Sequence, residues 1–280
     1  MLREDKRRMR IMLGLAVIMA LVLVFGKNEP ESKETTVVEV EMKDPNASSG
    51  TAIMAAPAPT ATPNPEDGIY SFFQGPKCWE EQREWAGKWG GEYHDGANFG
   101  AFGCGFCCMA NIYSTMTEYE CTPIELYKRS KKVTLYGGGG AISWGLMRQT
   151  MTDLGFQVEL GDKPATYKEF KELVAANPAT LILVSSYNDD SYWQNTPGHY
   201  VTLFLYDEGT ETAFLTDSGD PNHNRQRVKL KTMYKALKTS SDFQYMTVVS
   251  YDESKDNWKH KKAGGTWVRP EDIATGQEEE

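Results

Sequence analysis

Residues 102–114 read FGCGFCCMANIYS, and the prediction of the fold starts from this segment. Its first cysteine, Cys104, stands between two glycines, and the residues after it carry the periodicity of a helix. Apolar side chains recur there at every fourth position, at Cys108, Ile112 and Met116. Because that spacing keeps side chains on one face of an α-helix, the pattern predicts a helix from Cys104 to about Thr117.

Cys104 lies where a helix would activate a thiol. Free amide groups at a helix N-terminus create a positive potential, which lowers the pKa of a thiol in the first turn. The flanking glycines would let a substrate carbonyl approach the sulfur closely. Upstream glycines predict that a loop leads into the helix, and they are Gly96, Gly100 and Gly103. From this motif alone, a buried or disulfide-bonded cysteine is the default interpretation, and catalysis is the alternative.

A base for such a thiol is found at His199. It begins an apolar run, HYVTLFLY at 199–206, directly after a Pro–Gly pair, which predicts a strand preceded by a turn. A histidine in that place is rigidly held and accessible, as a general base must be. The alternative is a purely structural histidine. The other three histidines of the chain lie in segments with weaker patterns, and they are His94, His223 and His260.

The next predicted strand leads to a carboxylate. TAFLT at 212–216 reads as a strand, and Asp217 follows it directly in FLTDSGDPN. Neighbouring antiparallel strands can place a carboxylate beside the second nitrogen of an imidazole, where it fixes the tautomer and stabilises the imidazolium. Asp220 is close enough in sequence to take the same role. Either aspartate can instead be an ordinary turn-capping residue.

The order of these residues resembles that of papain-like cysteine peptidases, with a cysteine at a helix start, a histidine leading a strand and an aspartate ending the next. More narrowly, FGCGFCCMANIYS, PGHYVTLFLYD and FLTDSGDPN resemble the bacteriocin-processing (double-glycine) peptidases and their extracellular relatives in Gram-positive bacteria. The resemblance covers residues 69–251. It implies an α+β, papain-like fold whose nucleophile begins a central helix packed on an antiparallel sheet. It also implies hydrolysis of peptide or amide bonds by a Cys104–His199–Asp217 triad.

Papain-like enzymes also use a glutamine upstream of the cysteine, whose side-chain amide helps to stabilise the oxyanion. Gln74 in YSFFQGPK is the best match, and Gln82 is the alternative. Gln74 precedes Cys104 by 30 residues, more than is usual in the family, because a Trp-rich insertion at 78–103 lies between them. This insertion is expected to fold beside the cleft or over it. Packing is the expected role of its tryptophans, with an aromatic substrate groove as the alternative.

The remaining periodic segments predict helices first and strands second, which is typical of an α+β domain with an antiparallel sheet. The predicted helices after the first are 123–128, 141–154 and 167–177. The predicted strands are 180–185, 199–206, 212–216 and 245–251.

The N-terminal part of the chain is expected to be a membrane anchor. Four basic residues precede an uncharged apolar run at 11–25, which predicts that residues 1–26 are a retained anchor or a cleaved signal peptide. Residues 27–66 are rich in charge and then in Ala, Pro and Thr, so they are expected to form a disordered stalk. The peptidase domain is expected at 67–252 and a polar tail at 253–280. The domain then lies outside the cytoplasm, on a single-pass membrane protein, or is secreted if the segment is cleaved.

Charge and cysteine content limit the functional classes. A net charge of -9 argues against nucleic-acid binding, which begins with a basic surface. Five cysteines leave at least one unpaired and allow up to two disulfides of open connectivity, among Cys78, Cys104, Cys107, Cys108 and Cys121. The CxxCC spacing resembles a metal-binding motif, but no second Cys/His cluster completes a tetrahedral site. No metal or cofactor is expected.

The expected partners are a peptide or protein substrate and, through the N-terminal helix, the membrane. The alternative function is a non-catalytic module, in which a papain-like scaffold grips peptide and the cysteines form disulfides.

Overall fold

The computed structural model describes residues 64–264. The N-terminal part of the described residues contains two short 3₁₀ helices, Pro65–Gly68 and Lys88–Gly91. The α-helices of the described residues are α1 (Pro76–Glu80), α2 (Phe99–Phe102), α3 (Cys104–Met116), α4 (Pro123–Val133), α5 (Trp144–Asp153), α6 (Tyr167–Ala176) and α7 (Leu230–Ala236).

The strands of the described residues are β1 (Tyr93–His94), β2 (Ala97–Asn98), β3 (Tyr119–Glu120), β4 (Leu154–Gly161), β5 (Ala179–Val184), β6 (His199–Asp207), β7 (Thr212–Thr216), β8 (Gln226–Lys229), β9 (Tyr245–Asp256) and β10 (Lys261–Lys262). Most of them join one antiparallel sheet of six, in the order β4-β9-β5-β6-β7-β8. Two further pairs, β1 with β2 and β3 with β10, lie outside it.

Helix α3 is the buried centre of the molecule. Every residue from Cys104 to Ser114 is buried, so the helix is covered on all sides rather than on one stripe. It ends where Thr117 turns its hydroxyl back to the carbonyl of Tyr113, with an O–O distance of 2.8 Å. The predicted start at Cys104 is confirmed, but the predicted loop before it is wrong. The short helix α2 occupies that place, started by the Asn98 side chain, which accepts from the amide of Gly100.

The sheet separates two apolar layers because its strands alternate side chains between faces. On β5, Leu181 and Leu183 face the layer that contains α3. Ile182 and Val184 face the opposite layer, which is completed by α6 and α7. The predicted α+β class, with Cys104 beginning a central helix packed on an antiparallel sheet, is therefore confirmed.

Several element boundaries differ from the predictions. Helix α4 runs on to Val133. At its N-terminus, Thr122 and Glu125 form a capping box, in which each side chain accepts from the backbone N–H of the other residue. Helix α5 starts only at Trp144, and Gly155 follows its end with a φ of +81°. A side chain at Gly155 would meet the carbonyl of Asp252 at 2.6 Å, so only glycine lets β4 continue directly from the helix.

The segment 69–74 is tied to α3 and to the sheet by one buried amide. Asn111 of α3 accepts from the backbone N–H of Phe72 at 2.9 Å, and its Nδ2 donates to the Thr216 hydroxyl at 3.3 Å. Two residues further on, the backbone N–H of Gln74 donates to the carbonyl of Ser218 at 2.9 Å. These bonds hold Gln74 beside the end of β7.

The Trp-rich insertion packs against the same segment. Trp85 and Trp89 are buried, and both rings lie edge-on to Phe72, at centroid distances of 5.9 Å. The Trp89 indole also donates to the carbonyl of Phe73 at 2.8 Å. Packing is thus the role that the structure gives these two tryptophans.

The folded region continues beyond the predicted boundary at 252. Strand β9 runs to Asp256, whose carboxylate accepts from the hydroxyls of Tyr113 and Tyr251, each at 3.0 Å. Trp258 then packs on the Tyr113 ring, with centroids 5.5 Å apart. Residues 253–262, expected in the polar tail, therefore belong to the fold.

The predicted anchor, residues 1–26, and almost all of the predicted stalk lie outside the described residues. Within 64–264, no helix is both long enough and apolar enough to cross a bilayer.

The buried amide of Asn111 offers a test of the packing. Asn111→Ala removes the buried side-chain bonds to the N–H of Phe72 and to Thr216, so the free energy of unfolding should fall by about 1–3 kcal/mol. Denaturant titration of the full chain measures this. The control Asn222→Ala removes an exposed side chain and should change stability by less than about 0.5 kcal/mol. Equal effects of the two substitutions would contradict this view of Asn111.

Candidate active site

The Cys104 thiol sits at the first residue of α3 and is 8% exposed. The side chain of His199 and the backbone amides of Gly105 and Tyr200 lie near its sulfur and favour its ionised form. A side chain at Gly105 would lie 2.8 Å from the Ile142 side chain, so the small residue after the cysteine allows that neighbour to pack closely. The thiol therefore lies at a tightly packed helix N-terminus.

His199 begins β6 and stands between the thiol and a carboxylate. Its Nε2 lies 2.7 Å from Oδ1 of Asp217, which follows β7. Because an ionised carboxylate only accepts, Nε2 carries the proton of this bond and Nδ1 is the nitrogen left for Cys104. The predicted cysteine, histidine and aspartate are brought together in one chain of contacts.

Asp217 is almost completely buried, at 1% exposure. Its Oδ1 also accepts from the amide of Gly219 at 2.9 Å, and its Oδ2 accepts from the indole of Trp193 at 2.8 Å. Asp220 does not compete for His199. Its backbone N–H instead donates to Asp217 at 3.3 Å, and its own carboxylate is 41% exposed.

The charges of these groups reinforce one another. Burial alone would raise the pKa of Cys104, but the hydrogen bond and charge of His199 outweigh it and leave the pKa below its ordinary value. Burial likewise opposes charging of His199, yet Asp217 raises its pKa to about 10. Against its own burial, Asp217 has a pKa well below the usual range because of His199. These interactions favour the thiolate–imidazolium pair over the neutral thiol and imidazole.

Gln74 lies on the same side of the site as His199. Its Nε2 donates to the carbonyl of Gly100 at 2.8 Å, and its Oε1 accepts from the hydroxyl of Ser218 at 2.8 Å. The amide group has two N–H bonds, so one donor remains after the bond to Gly100. The alternative, Gln82, is exposed and lies in the turn after α1 with a φ of +53°. Of the two glutamines, the structure places Gln74 at the site.

A cavity of about 300 Å³ opens beside His199. Gln74, the segment 193–198 before β6 and the turn after β7 form its walls. The residues that line it are Gln74, Trp193, Gln194, Asn195, Thr196, Pro197, Gly198, His199, Asp217, Gly219, Asp220 and His223. Most of these side chains are polar, so the cavity suits a hydrated or hydrogen-bonding group.

The other four cysteines are buried, and none of the five is in a disulfide. Burial raises the pKa of each of the four. Ser218 lies beside Cys107 and Thr202 beside Cys108, so the CxxCC thiols face different neighbours. Within residues 64–264, no group of three or more ligand-type side chains is placed to hold a metal ion.

Several residues that support the site were not predicted from the sequence. Trp193 binds Asp217 from the loop before β6, and Ser218 joins Gln74 across 144 residues of chain. Asn224 accepts from the backbone N–H of Asp217 at 3.0 Å and donates to the Ser71 carbonyl at 2.8 Å. These contacts are set by folding between distant segments, and no local pattern signals them. His223, passed over among the histidines, also lines the cavity.

Comparison with known proteins yields structural likeness but no sequence match. No protein-family model matches the chain. No curated protein matches it either. Among solved structures, it is similar to the peptidase domain of Streptococcus ComA, a bifunctional ABC transporter involved in a quorum-sensing pathway. The identity is 14% and the TM-score 0.36, over 52% of this chain and 89% of that one. It is also similar to a Bacillus anthracis protein assigned as a C39-like peptidase, at 15% identity and a TM-score of 0.36, over 54% and 90% of the two chains.

The thiolate at Cys104 can be tested by alkylation. Because its pKa is lowered, iodoacetamide should modify Cys104 at pH 6–7, where an ordinary thiol with a pKa of about 8.5 is mostly protonated. The raised pKa values of the other four cysteines should leave them unmodified in the folded chain. His199→Ala removes the largest interactions that lower the pKa of Cys104, while burial continues to raise that pKa, so alkylation at pH 6.5 should slow by roughly 100-fold.

Mass spectrometry of the cysteine-containing peptides gives the rate at each site. His260→Ala is the control, since that histidine lies against Trp258 and Glu125, away from Cys104. An unchanged Cys104 rate in His199→Ala would contradict the ion pair.

Proposed function

We propose that residues 64–264 form a papain-like cysteine peptidase that hydrolyses peptide or amide bonds. The observation that carries this is the continuous line of contacts from Cys104 through His199 to the buried carboxylate of Asp217. A nucleophile, a base within hydrogen-bond reach and a group that orients the base are the components of acyl transfer. The arrangement follows the order of the papain-like peptidases that the sequence resembles.

In the proposed reaction, the Cys104 thiolate attacks the carbonyl carbon of the scissile bond. A tetrahedral intermediate forms, and the His199 imidazolium donates its Nδ1 proton to the leaving nitrogen, which departs as an amine. The acyl group stays on the sulfur as a thioester. Neutral His199 then takes a proton from water, whose oxygen attacks the thioester. The carboxylic acid product is released, and the Cys104 thiolate and His199 imidazolium are formed again.

Asp217 and Gln74 stabilise the two charges that arise during these steps, the imidazolium and the oxyanion. Asp217 stabilises the imidazolium through Nε2 and keeps Nδ1 directed at the sulfur. The remaining N–H of the Gln74 amide and the backbone amide of Cys104 are the proposed donors to the oxyanion. Ser218 and Gly100 hold the glutamine by both ends of its amide, so it is positioned before substrate arrives.

We also propose that the enzyme acts outside the cytoplasm, held at the cell membrane by residues 1–26. The basis is the basic cluster before the apolar run 11–25. Fusion of a reporter at residue 280 tests this in bacterial cells. Alkaline phosphatase, which needs an oxidising compartment, should be active, and cytoplasmic β-galactosidase should be inactive. The reverse pattern would contradict the proposed topology, and deletion of residues 1–26 should produce it.

Substitution of Cys104 and of Asp217 tests the reaction. Incubation of the full chain with a randomised peptide library, followed by mass spectrometry of new termini, should reveal cleaved sequences. Cys104→Ala should abolish cleavage. Asp217→Asn should lower kcat/KM by roughly 10²–10⁴-fold because the imidazolium loses its carboxylate.

Asp220→Asn is the matched control for Asp217→Asn, since its carboxylate does not contact His199. It should lower kcat/KM by less than about 10-fold. Peptides that bind the wild-type chain but are never cleaved would favour the non-catalytic module instead. Cleavage that persists in Cys104→Ala would exclude this mechanism.

A further inference from the structure

Asp217 has a second histidine on its far side. The Nδ1 atom of His223 lies 3.6 Å from Oδ2 of Asp217, while His199 binds Oδ1 of the same carboxylate. The same Nδ1 is 3.6 Å from the carboxylate of Asp220. Both distances exceed those of ordinary hydrogen bonds, so the interaction is chiefly one of charge. His223 thus faces two carboxylates and, through one of them, the Cys104–His199 pair.

The His223 ring is held in this position by its neighbours. It is stacked on Tyr192, with centroids 4.2 Å apart and planes 25° apart, and it meets the edge of Trp193 at 6.1 Å. Its backbone N–H donates to the carbonyl of Asp220 at 3.1 Å. The side chain is 21% exposed and lines the cavity beside His199, so it can exchange protons with solvent.

The charged groups around His223 act in opposite directions. The interaction with Asp217 raises its pKa, burial opposes this, and Asp220 adds to the increase. The charge of His199 lowers it. Tyr192, the titratable residue stacked on this imidazole, has its pKa raised to about 12 by burial and by the nearby carboxylates, so its phenol is uncharged at neutral pH. Two imidazoles therefore compete for one carboxylate.

We propose that His223 is a positioning residue of the active site, which shares the Asp217 carboxylate with His199 and acts on the Cys104–His199 pair through its own charge. This inference deepens the proposed peptidase function, since it concerns the same thiol. His223 does not touch the reacting sulfur. It acts through Asp217, and its effect depends on whether it carries a proton.

The sign of the effect differs at the two ends of the pH range. In acid, His223 is protonated, and its positive charge favours the Cys104 thiolate over the thiol, which extends thiolate formation to lower pH. In alkali, His223 is neutral, and His199 keeps the full attraction of Asp217, so the imidazolium persists. A histidine at position 223 therefore widens the pH range over which the Cys104 thiolate and the His199 imidazolium coexist. A permanently charged residue would not widen this range.

The pH dependence of Cys104 alkylation in the full chain tests the proposal. Iodoacetamide rates at Cys104 are measured from pH 4 to pH 11 in the wild type, His223→Phe, His223→Gln and His260→Phe. Phenylalanine keeps the stacking on Tyr192 and removes the charge. Its acid limb should move up by roughly 0.5–1 pH unit, which slows alkylation about 3- to 10-fold on that limb. The alkaline limb should stay in place.

The other variants separate charge from shape. His223→Gln can donate to Asp217 but carries no charge, so it should match His223→Phe. His260→Phe alters another histidine that is stacked on an aromatic ring, here Trp258 at 4.2 Å, and paired with a glutamate. It should leave both limbs unchanged. If His223→Phe does not fold, as judged by thermal unfolding, His223→Gln alone carries the test.

Two results would overturn the proposal. Profiles of the folded His223 variants that superimpose on the wild type would show that its charge does not reach the pair. A wild-type profile in His223→Gln beside a shifted one in His223→Phe would assign the effect to hydrogen bonding instead. The readout is thiol reactivity and not peptide cleavage, so these outcomes stand whether or not a substrate is ever hydrolysed.

Discussion

The buried carboxylate of Asp217 is the constraint on which the rest of the site depends. A charge taken out of water costs several kcal/mol unless hydrogen bonds and an opposite charge replace the lost solvation. Here the replacements come from His199 at the start of β6, from Trp193 in the preceding loop and from amides in the turn after β7. Satisfying one charge therefore fixes the relative positions of three segments, and one of them carries the base.

The sheet and the central helix bring these segments together. Strands β6 and β7 are antiparallel neighbours, with Thr202 opposite Thr216, so the start of one lies next to the end of the other. Helix α3 packs on the same sheet, and its first residue comes to rest beside His199. Asn111 on that helix and Ser218 after β7 then hold the segment that carries Gln74. The four candidate residues thus occupy one corner of the fold although 143 residues separate the first from the last.

Regular periodicity made part of this fold predictable. The strand TAFLT is buried throughout and has a neighbouring strand on each side, and β7 has the bounds predicted for it. Strand β8 and helix α7 were missed because β8 exposes most of its side chains, QRVK, and α7 is only seven residues long. Strand β4 was missed because it follows α5 with no polar turn between them. Such elements owe their form to pairing and packing with distant chain, and their own composition signals little.

Local sequence patterns were enough to predict the candidate site residues in their order: a cysteine opening a helix, a histidine opening a strand and an aspartate closing the next. They also determined the α+β class, because both periodicities are local properties of the chain. Only the tertiary structure decided between Asp217 and Asp220, and between Gln74 and Gln82. Each choice turns on distances between segments far apart in sequence, and on which carboxylate is withdrawn from water. The position of His223 behind Asp217 could not be predicted for the same reason. Hydrogen bonds and charge interactions depend on distance in space and not on separation along the chain.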